Sequence, residues 1–186
     1  MTATDSALSY SAQAQHTVEK IGGTSMSDYQ ATRKNIYLNP GLNGKLYQRI
    51  FVVSAYGGIT NDLLEHKKSG QSGVYALFAS AEEQGSWQEA FAELRQKMTD
   101  INASFFNDQS ELLEANDFIN GRLDDAERVL VDLQRLCQHG HFSMNDHLQT
   151  VREMLASLGE IHSAYNTAKL LRLDGIAARF VDLSGW

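Results

Sequence analysis

The sequence predicts an α/β protein with a mostly parallel sheet and a large block of helices. Short apolar stretches near its start alternate with glycine-containing loops and helical segments, and strong helical periodicity begins beyond Gly73. Strands that alternate with helices are typical of a parallel sheet covered by helices. The length of 186 residues suffices for one domain with a core of ordinary size.

Composition and charge exclude several classes of function. The chain has 16 Lys and Arg against 23 Asp and Glu, a net charge of −7, which disfavours a nucleic-acid-binding protein. Its longest apolar runs, residues 50–53 and 129–131, are far shorter than the roughly 20 residues of a membrane helix, so we expect no membrane partner. The single cysteine, Cys137, excludes an internal disulfide and favours a reducing, cytoplasmic location.

The chain opens with a segment that we expect to be disordered. Residues 1–15 are rich in Ser, Ala, Thr and Gln and have no apolar period, and they lack the basic and apolar regions of a secretory signal. Residues 16–21 then predict a first strand. The helix that follows has Ser25 and Ser27 as candidate N-caps, and the breakers around Pro40 end it.

A second strand, a second loop and a second helix follow. Residues 47–54 form an apolar run suited to a strand that is buried on both faces. Residues 55–60 form a glycine-containing loop, and residues 61–68 predict a helix.

Three longer helical segments and a last strand complete the prediction. The first two present apolar faces, made of Trp87, Phe91, Leu94, Met98, Ile101 and Phe105 and then of Leu112, Ile119, Leu123, Ala126, Leu130, Leu133 and Cys137. The pair His139-Gly140 is a stop signal. We expect Ser143 to begin the third segment, Gly159 to interrupt it near its middle, and residues 176–183 to form a third strand.

The first glycine loop is a candidate phosphate site. Lys20 stands just before Gly22 and Gly23, and a strand, a glycine turn and a helix together offer backbone N–H groups to an anion. Neither the P-loop spacing nor GxGxxG is present, so an ordinary tight turn remains an alternative.

The second glycine loop should lie beside the first, because ligands bind outside the carboxyl ends of parallel strands. Ser54 and Thr60 could donate hydroxyl hydrogen bonds to a ligand there. Thr60 could equally cap the following helix, and both roles can hold.

A break in the helix at Gly159 would free Glu160 to accept hydrogen bonds from an ammonium group, although an ordinary exposed glutamate is the alternative. The histidines near Cys137 match no zinc-ligand spacing, so we predict no metal site from them. Cys137 itself lies on an apolar face and is expected in the core.

Three motifs together resemble the aspartokinase family. Residues 18–25 (VEKIGGTS) resemble its K-F-G-G-T-S opening, residues 51–61 (FVVSAYGGITN) resemble V-V-S-A-x-x-G-x-T, and residues 157–160 (SLGE) resemble S-x-G-E. The resemblance covers residues 16–186, and segments such as LYQRIFVVSAYGG, TVREMLASLGE and ARFVDLSGW resemble the aspartokinases associated with ectoine biosynthesis.

The resemblance implies an amino-acid kinase fold of the carbamate kinase type, a three-layer α/β/α sandwich. It implies transfer of a phosphoryl group from ATP, with Mg²⁺, to the side-chain carboxylate of L-aspartate. The implied roles are stabilisation of the transferred group by Lys20, binding of phosphate by Gly22, Gly23 and Thr24, binding of aspartate by Ser54, Ala55 and Thr60, and capture of the α-ammonium by Glu160.

The family pattern continues beyond this sequence. Its nucleotide-binding half and its ACT regulatory domains are not among these residues, so residues 16–186 are expected to be an incomplete, aspartate-binding part of the kinase domain of a full-length homo-oligomer. One alternative is a non-catalytic aspartate-binding or interaction module. Another is an acetylglutamate or glutamate kinase, which the long helical block disfavours.

Overall fold

The computed structural model describes residues 16–41, 44–66, 68–80, 85–140 and 142–184. The leader expected at residues 1–15, His141 and the last two residues lie outside the described residues. The described part is a mixed α/β structure dominated by helices, and the three-layer sandwich remains a prediction.

Two parallel strands form a small sheet. Strand β1 (Thr17–Ile21) pairs with β2 (Arg49–Val53), with Lys20 opposite Val52 and Ile21 opposite Val53. The first two predicted strands are therefore confirmed, and both end at the same edge of the sheet.

The described residues also form seven α-helices, together with a π-helical turn (Arg33–Tyr37) and a 3₁₀ turn (Met144–Asp146). The helices are α1 (Gly23–Met26), α2 (Tyr29–Thr32), α3 (Ile59–Leu63), α4 (Val74–Ser80), α5 (Ser86–Phe105), α6 (Gln109–Cys137) and α7 (Leu148–Leu173). Helices α5 and α6 present the predicted apolar faces to the core, where residues such as Phe91, Met98 and Leu123 are fully buried. No described helix is both long enough and apolar enough to span a membrane.

One face of the sheet is open, contrary to the prediction that β2 is buried on both faces. Ile21 and Val53 are buried at the end of the sheet, whereas Val18, Ile50 and Val52 are 68%, 50% and 49% exposed. The open face borders a cleft of about 1050 Å³ that also contacts α7 and residues 176–184. Parallel sheets are normally covered on both faces, and the described helices cover one.

The third predicted strand is wrong. Residues 176–183 pair with no strand of the described sheet. Side chains hold the segment instead: Asp182 forms an ion pair with Arg122, and the ring of Phe180 packs edge-on against Phe118 at 5.5 Å and Tyr165 at 5.8 Å.

Several predicted helix boundaries are also wrong. Gly159 does not interrupt α7, which is continuous from Leu148 to Leu173. The N-cap of α2 is Asp28, whose carboxylate accepts the Ala31 N–H, rather than Ser25 or Ser27. The helix predicted at residues 61–68 is the shorter α3.

The start of the third helical segment differs as well. Ser143 precedes the 3₁₀ turn without a side-chain capping bond, and α7 begins only at Leu148. Cys137, expected in the core, is partly exposed at the end of α6.

Candidate functional site

The two glycine loops meet at the carboxyl edge of the sheet, as the sequence predicts. The Ser54 N–H donates to the Ile21 carbonyl at 3.0 Å, which joins the ends of β1 and β2. A Cβ added to Gly23 would lie 3.2 Å from the Ala55 carbonyl oxygen, so the loops are in close contact. The candidate phosphate-binding and substrate-binding segments therefore lie side by side.

Ser27 joins the two loops from the end of α1. Its hydroxyl donates to the Gly23 carbonyl at 3.1 Å and accepts from the Gly57 N–H, also at 3.1 Å. The sequence interpretation treats Ser27 only as a helix cap. A hydroxyl four residues after a glycine that begins a helix is the signal that could have indicated this contact.

Helix α7 packs directly on the second loop, and Gly159 makes this possible. A Cβ at Gly159 would lie 2.7 Å from the Ala55 Cβ and 3.3 Å from Ile59 Cγ2. One turn further along α7, the Ser163 hydroxyl donates to the Ser54 carbonyl at 2.8 Å. Gly159 thus has a different role from the predicted one: it permits close packing without breaking the helix.

Glu160 lies where this packing brings α7 against the loop. Loss of solvation raises the pKa of its carboxyl, while N–H groups of Ala55 and of Glu160 itself and the positive charge of Lys20 oppose the rise. The side chain still reaches the surface. Lys20, Ala55 and Glu160, which come from three separate motifs, therefore share one electrostatic environment.

The remaining predicted site residues differ in their surroundings. Gly22, the N-cap of α1, borders open space, because an added Cβ would meet nothing within 4 Å. Thr24 and Thr60 are exposed in the short helices α1 and α3, and the contacts among the described residues do not join them to Glu160. Thr60 is not the cap of α3, since Gly58 holds that position with φ of 86°.

A second lysine lies beside the second loop, and sequence reasoning misses it. Lys97 of α5 forms an ion pair with Asp62 of α3. Its Nζ would lie 3.1 Å from a Cβ added to Gly58. No motif indicates this proximity, which depends on how α5 packs against α3.

A buried polar cluster lies behind the loops. His162 Nε2 is 2.7 Å from Asn102 Oδ1, which also accepts from Asn166 Nδ2 at 2.7 Å. Burial lowers the pKa of His162 to about 3, so the ring is neutral. Among the described residues, no three His, Cys, Asp or Glu side chains converge as metal ligands.

Comparison with known proteins supports the resemblance that the three motifs indicate. Over 171 residues, the chain is 54% identical to the aspartate kinase Ask_Ect of Stutzerimonas stutzeri (strain A1501). The match covers 92% of this chain and 36% of the relative, so the chain spans about a third of that protein's length. No family model matches the chain, and no solved structure matches it. The resemblance to aspartokinases that the three motifs indicate is thus confirmed over most of this chain, and the relative's name Ask_Ect agrees with the ectoine-associated group.

Proposed function

We propose that the described residues form the aspartate-binding part of an aspartate kinase. The proposed reaction transfers the γ-phosphoryl group of ATP to the side-chain carboxylate of L-aspartate and gives 4-phospho-L-aspartate, the first step towards aspartate-family amino acids and ectoine. The proposal depends on one observation above all: the two glycine loops meet at Ala55, where Gly159 of α7 packs so closely that the next residue, Glu160, lies beside them. The identity of 54% to an aspartate kinase supports the same proposal.

Glu160 is suited to hold the α-ammonium of the substrate. The N–H of Ala55 and the charge of Lys20 favour the ionised form of this carboxyl against the effect of burial on its pKa, and an ionised carboxylate that is partly shielded from water attracts a cation strongly. Ser54, Ala55 and Thr60 would then surround the rest of the aspartate molecule.

Lys20 is suited to the phosphoryl group. Its side chain is exposed at the end of β1, next to the open space at Gly22. Phosphoryl transfer depends mainly on positioning and on stabilisation of charge, which a lysine and backbone N–H groups supply. Gly22, Gly23 and Thr24 would contact phosphate oxygens.

ATP would supply the transferred group, and Mg²⁺ would enter with its phosphates, since the described residues offer no cluster of metal ligands of their own. Most of the length of the aspartate kinase relative lies outside the match. We therefore expect weak or no turnover from these 186 residues. A coupled assay with ATP and aspartate tests this, and turnover at an ordinary rate would contradict an incomplete site.

Calorimetric titration with L-aspartate tests the binding role directly. We expect saturable binding that Glu160→Gln weakens about tenfold, the loss of one charge-assisted hydrogen bond. The same substitution should not weaken binding of succinate, because succinate has no ammonium group and its two carboxylates are repelled by Glu160. Glu153→Gln, an exposed position two turns earlier on α7, is the matched control.

The outcome that contradicts the proposal is equally specific. If L-glutamate binds as well as L-aspartate, or if Glu160→Gln affects succinate and aspartate equally, the assigned substrate pocket is wrong. An acetylglutamate or glutamate kinase would then be the better candidate.

The exposed apolar face of the sheet favours a second candidate, a non-catalytic aspartate-binding or interaction module. Val18, Ile50 and Val52 form part of this face, and large exposed apolar patches often mark sites of association. Light scattering, combined with the coupled kinase assay, distinguishes this module from an aspartate kinase. The non-catalytic module predicts aspartate binding and self-association or partner association, without turnover in any longer form of the protein.

A further inference from the structure

A second pocket lies between the C-terminal ends of α5 and α7 and the α2 segment, and it includes none of the residues assigned to aspartate or phosphate. Its volume is about 250 Å³. Its wall includes Tyr29, Arg33, Phe105, Leu170, Leu173 and Asp174. Pockets for drug-sized ligands run from about 300 to 1000 Å³, so this one suits a smaller molecule.

An ion pair lies in the wall of the pocket with part of its binding capacity unused. Arg33 Nε donates to Asp174 Oδ2 at 2.5 Å, and the Tyr29 hydroxyl donates to the same oxygen at 3.1 Å. Both bonds end on one carboxylate oxygen. Among the hydrogen bonds and ion pairs of the described residues, these contacts leave Asp174 Oδ1 and the two Nη groups of Arg33 available to a ligand.

The two charged groups are accessible to a ligand. The side chain of Arg33 is 34% exposed and that of Asp174 is 22% exposed. The two Nη groups of Arg33 form an edge of its guanidinium that can bind a carboxylate through two parallel hydrogen bonds. A carboxylate oxygen such as Asp174 Oδ1 is an acceptor for an ammonium group.

The rest of the wall is mixed, with the polar residues Gln30, Ser104 and Asn107 beside an apolar part. Phe105, Leu170 and Leu173 contribute to it, and the Phe105 ring is fixed edge-on against the Tyr29 ring at 6.0 Å. A ligand that matches this pocket carries adjacent negative and positive groups and a short apolar side chain.

We propose that this pocket binds a free α-amino acid with an apolar side chain. The carboxylate of the amino acid pairs with the Nη edge of Arg33, its ammonium pairs with Asp174 Oδ1, and its side chain contacts Phe105 and Leu170. The existing Arg33–Asp174 pair prearranges the two charges, so binding requires little reorganisation.

The position of the pocket gives this binding a consequence. Arg33 begins the π-helical turn that follows α2, and Asp174 is the C-cap of α7, the helix that carries Glu160. A ligand that bridges these elements binds the folded state and raises the unfolding temperature, and the rise grows with the logarithm of ligand concentration once this exceeds the dissociation constant.

Titration of the 186-residue chain with L-leucine, followed by NMR chemical shifts or calorimetry, tests the proposal. We expect saturable binding at millimolar or lower concentration. L-leucinamide, which lacks the carboxylate, and 4-methylpentanoate, which lacks the ammonium, should each bind at least about tenfold more weakly. If either analogue binds as well as L-leucine, or if L-leucine does not saturate, the proposal is wrong.

Variants provide an independent test. Arg33→Gln and Asp174→Asn should each weaken L-leucine binding about tenfold, while Arg128→Gln, which removes an exposed ion pair with Asp125 on α6, should leave it unchanged. Equal losses in all three variants would overturn the proposal, and circular dichroism checks that each is folded. If a pocket variant does not fold, the analogue comparison on the unmodified chain decides. Glu160→Gln should not alter L-leucine binding, which separates this pocket from the aspartate site.

Discussion

Gly159 of α7 contacts Ala55 so closely that a Cβ added to the glycine would lie 2.7 Å from the Ala55 Cβ. Real Cβ atoms do not approach to that distance without a shift of the surrounding atoms. The contact brings the next residue, Glu160, to the N–H of Ala55 and to the charge of Lys20. One missing side chain therefore determines how α7 meets the second glycine loop.

Substitution of Gly159 should destabilise the protein in spite of a favourable effect on the helix. Alanine is better than glycine inside a helix by about 1 kcal/mol, but overpacking costs about 1–3 kcal/mol. Ala55, Ile59 and Leu63 are buried on this side, so we expect the overpacking to prevail and Gly159→Ala to lower the free energy of unfolding by up to about 2 kcal/mol. Urea denaturation measures this change, and aspartate affinity should fall with it.

The matched control is a glycine in a helix without neighbours. Gly121 of α6 is exposed, and an added Cβ would meet nothing within 4 Å. Gly121→Ala should raise the free energy of unfolding by up to about 1 kcal/mol. If both substitutions stabilise the protein, the close contact at Gly159 is absent in solution.

Much of the site could be predicted from the sequence, but its geometry could not. The order of strands and glycine loops predicts that the loops after residues 21 and 53 meet, because parallel strands end at one edge. The effect of Gly159 could not be predicted, since a glycine in a helical pattern indicates a break or a close approach equally well. The contact is between residues 104 positions apart, beyond any local pattern.

In the fold, too, the sequence predicts local elements better than it predicts contacts between distant residues. Helices α5 and α6 follow their apolar periods closely, because each buries one continuous stripe. The apolar character of residues 176–183 predicts a strand, but a strand exists only where a neighbour supplies a hydrogen-bonding ladder, and the described sheet supplies none there. The apolar run of residues 50–53 likewise predicts a strand that is buried on both faces. Burial of the second face requires a layer of structure packed against it, and the described helices cover only the first.

Ser27 and Gly57 should be energetically coupled. A Cβ at Gly57 would lie 2.9 Å from the Ser27 hydroxyl, which holds the two loops together. Gly57→Ala should therefore displace this hydroxyl from its hydrogen bonds and cost up to about 1 kcal/mol in the unmodified chain, and less when combined with Ser27→Ala, which removes the hydroxyl. A double-mutant cycle from urea denaturation measures the coupling.

Ser80 provides the control for this cycle. Its hydroxyl donates to the Leu77 carbonyl within α4 and touches neither loop. Ser80→Ala should show no coupling with Gly57→Ala, within about 0.5 kcal/mol. Equal coupling for both serines would mean that the Ser27 bridge has no specific role.

Arg49 should be among the residues most sensitive to a conservative change. Its side chain is 2% exposed, and its guanidinium binds both carboxylate oxygens of Glu19, at 2.7 and 2.6 Å. It also donates to the carbonyls of Ile36, Tyr37 and Asn39, where the π-helical turn ends. A lysine cannot reach all of these acceptors, so we expect Arg49→Lys to lower the free energy of unfolding by about 3 kcal/mol.

The exposed pair of Arg128 with Asp125 is the comparison for Arg49. Arg128 has a 73% exposed side chain, and exposed ion pairs contribute about 0–1 kcal/mol. Arg128→Lys should change the free energy of unfolding by less than about 0.5 kcal/mol. A loss at Arg49 no larger than this would show that its buried bonds do not persist in solution.

His162 should make the protein less stable in mild acid. Its ring is fully buried and neutral, and burial lowers its pKa to about 3, whereas a histidine in the unfolded chain has a pKa of about 6.5. Between these values the unfolded state binds more protons than the folded state. The free energy of unfolding therefore falls as the pH drops below about 6.5, by up to about 1.4 kcal/mol per pH unit from this residue.

Substitution isolates this contribution from that of the carboxylates, which also titrate in acid. We expect His162→Gln to reduce the slope of unfolding free energy against pH between about pH 6.5 and pH 4, even if it lowers stability at every pH because the bond to Asn102 changes. His147→Gln, at the exposed N-cap of α7, should keep the slope of the unmodified chain. Urea denaturation at a series of pH values measures both. An unchanged slope in His162→Gln would mean that the folded protein already protonates this ring near its ordinary pKa, and the buried cluster with Asn102 and Asn166 would then have to be open to water.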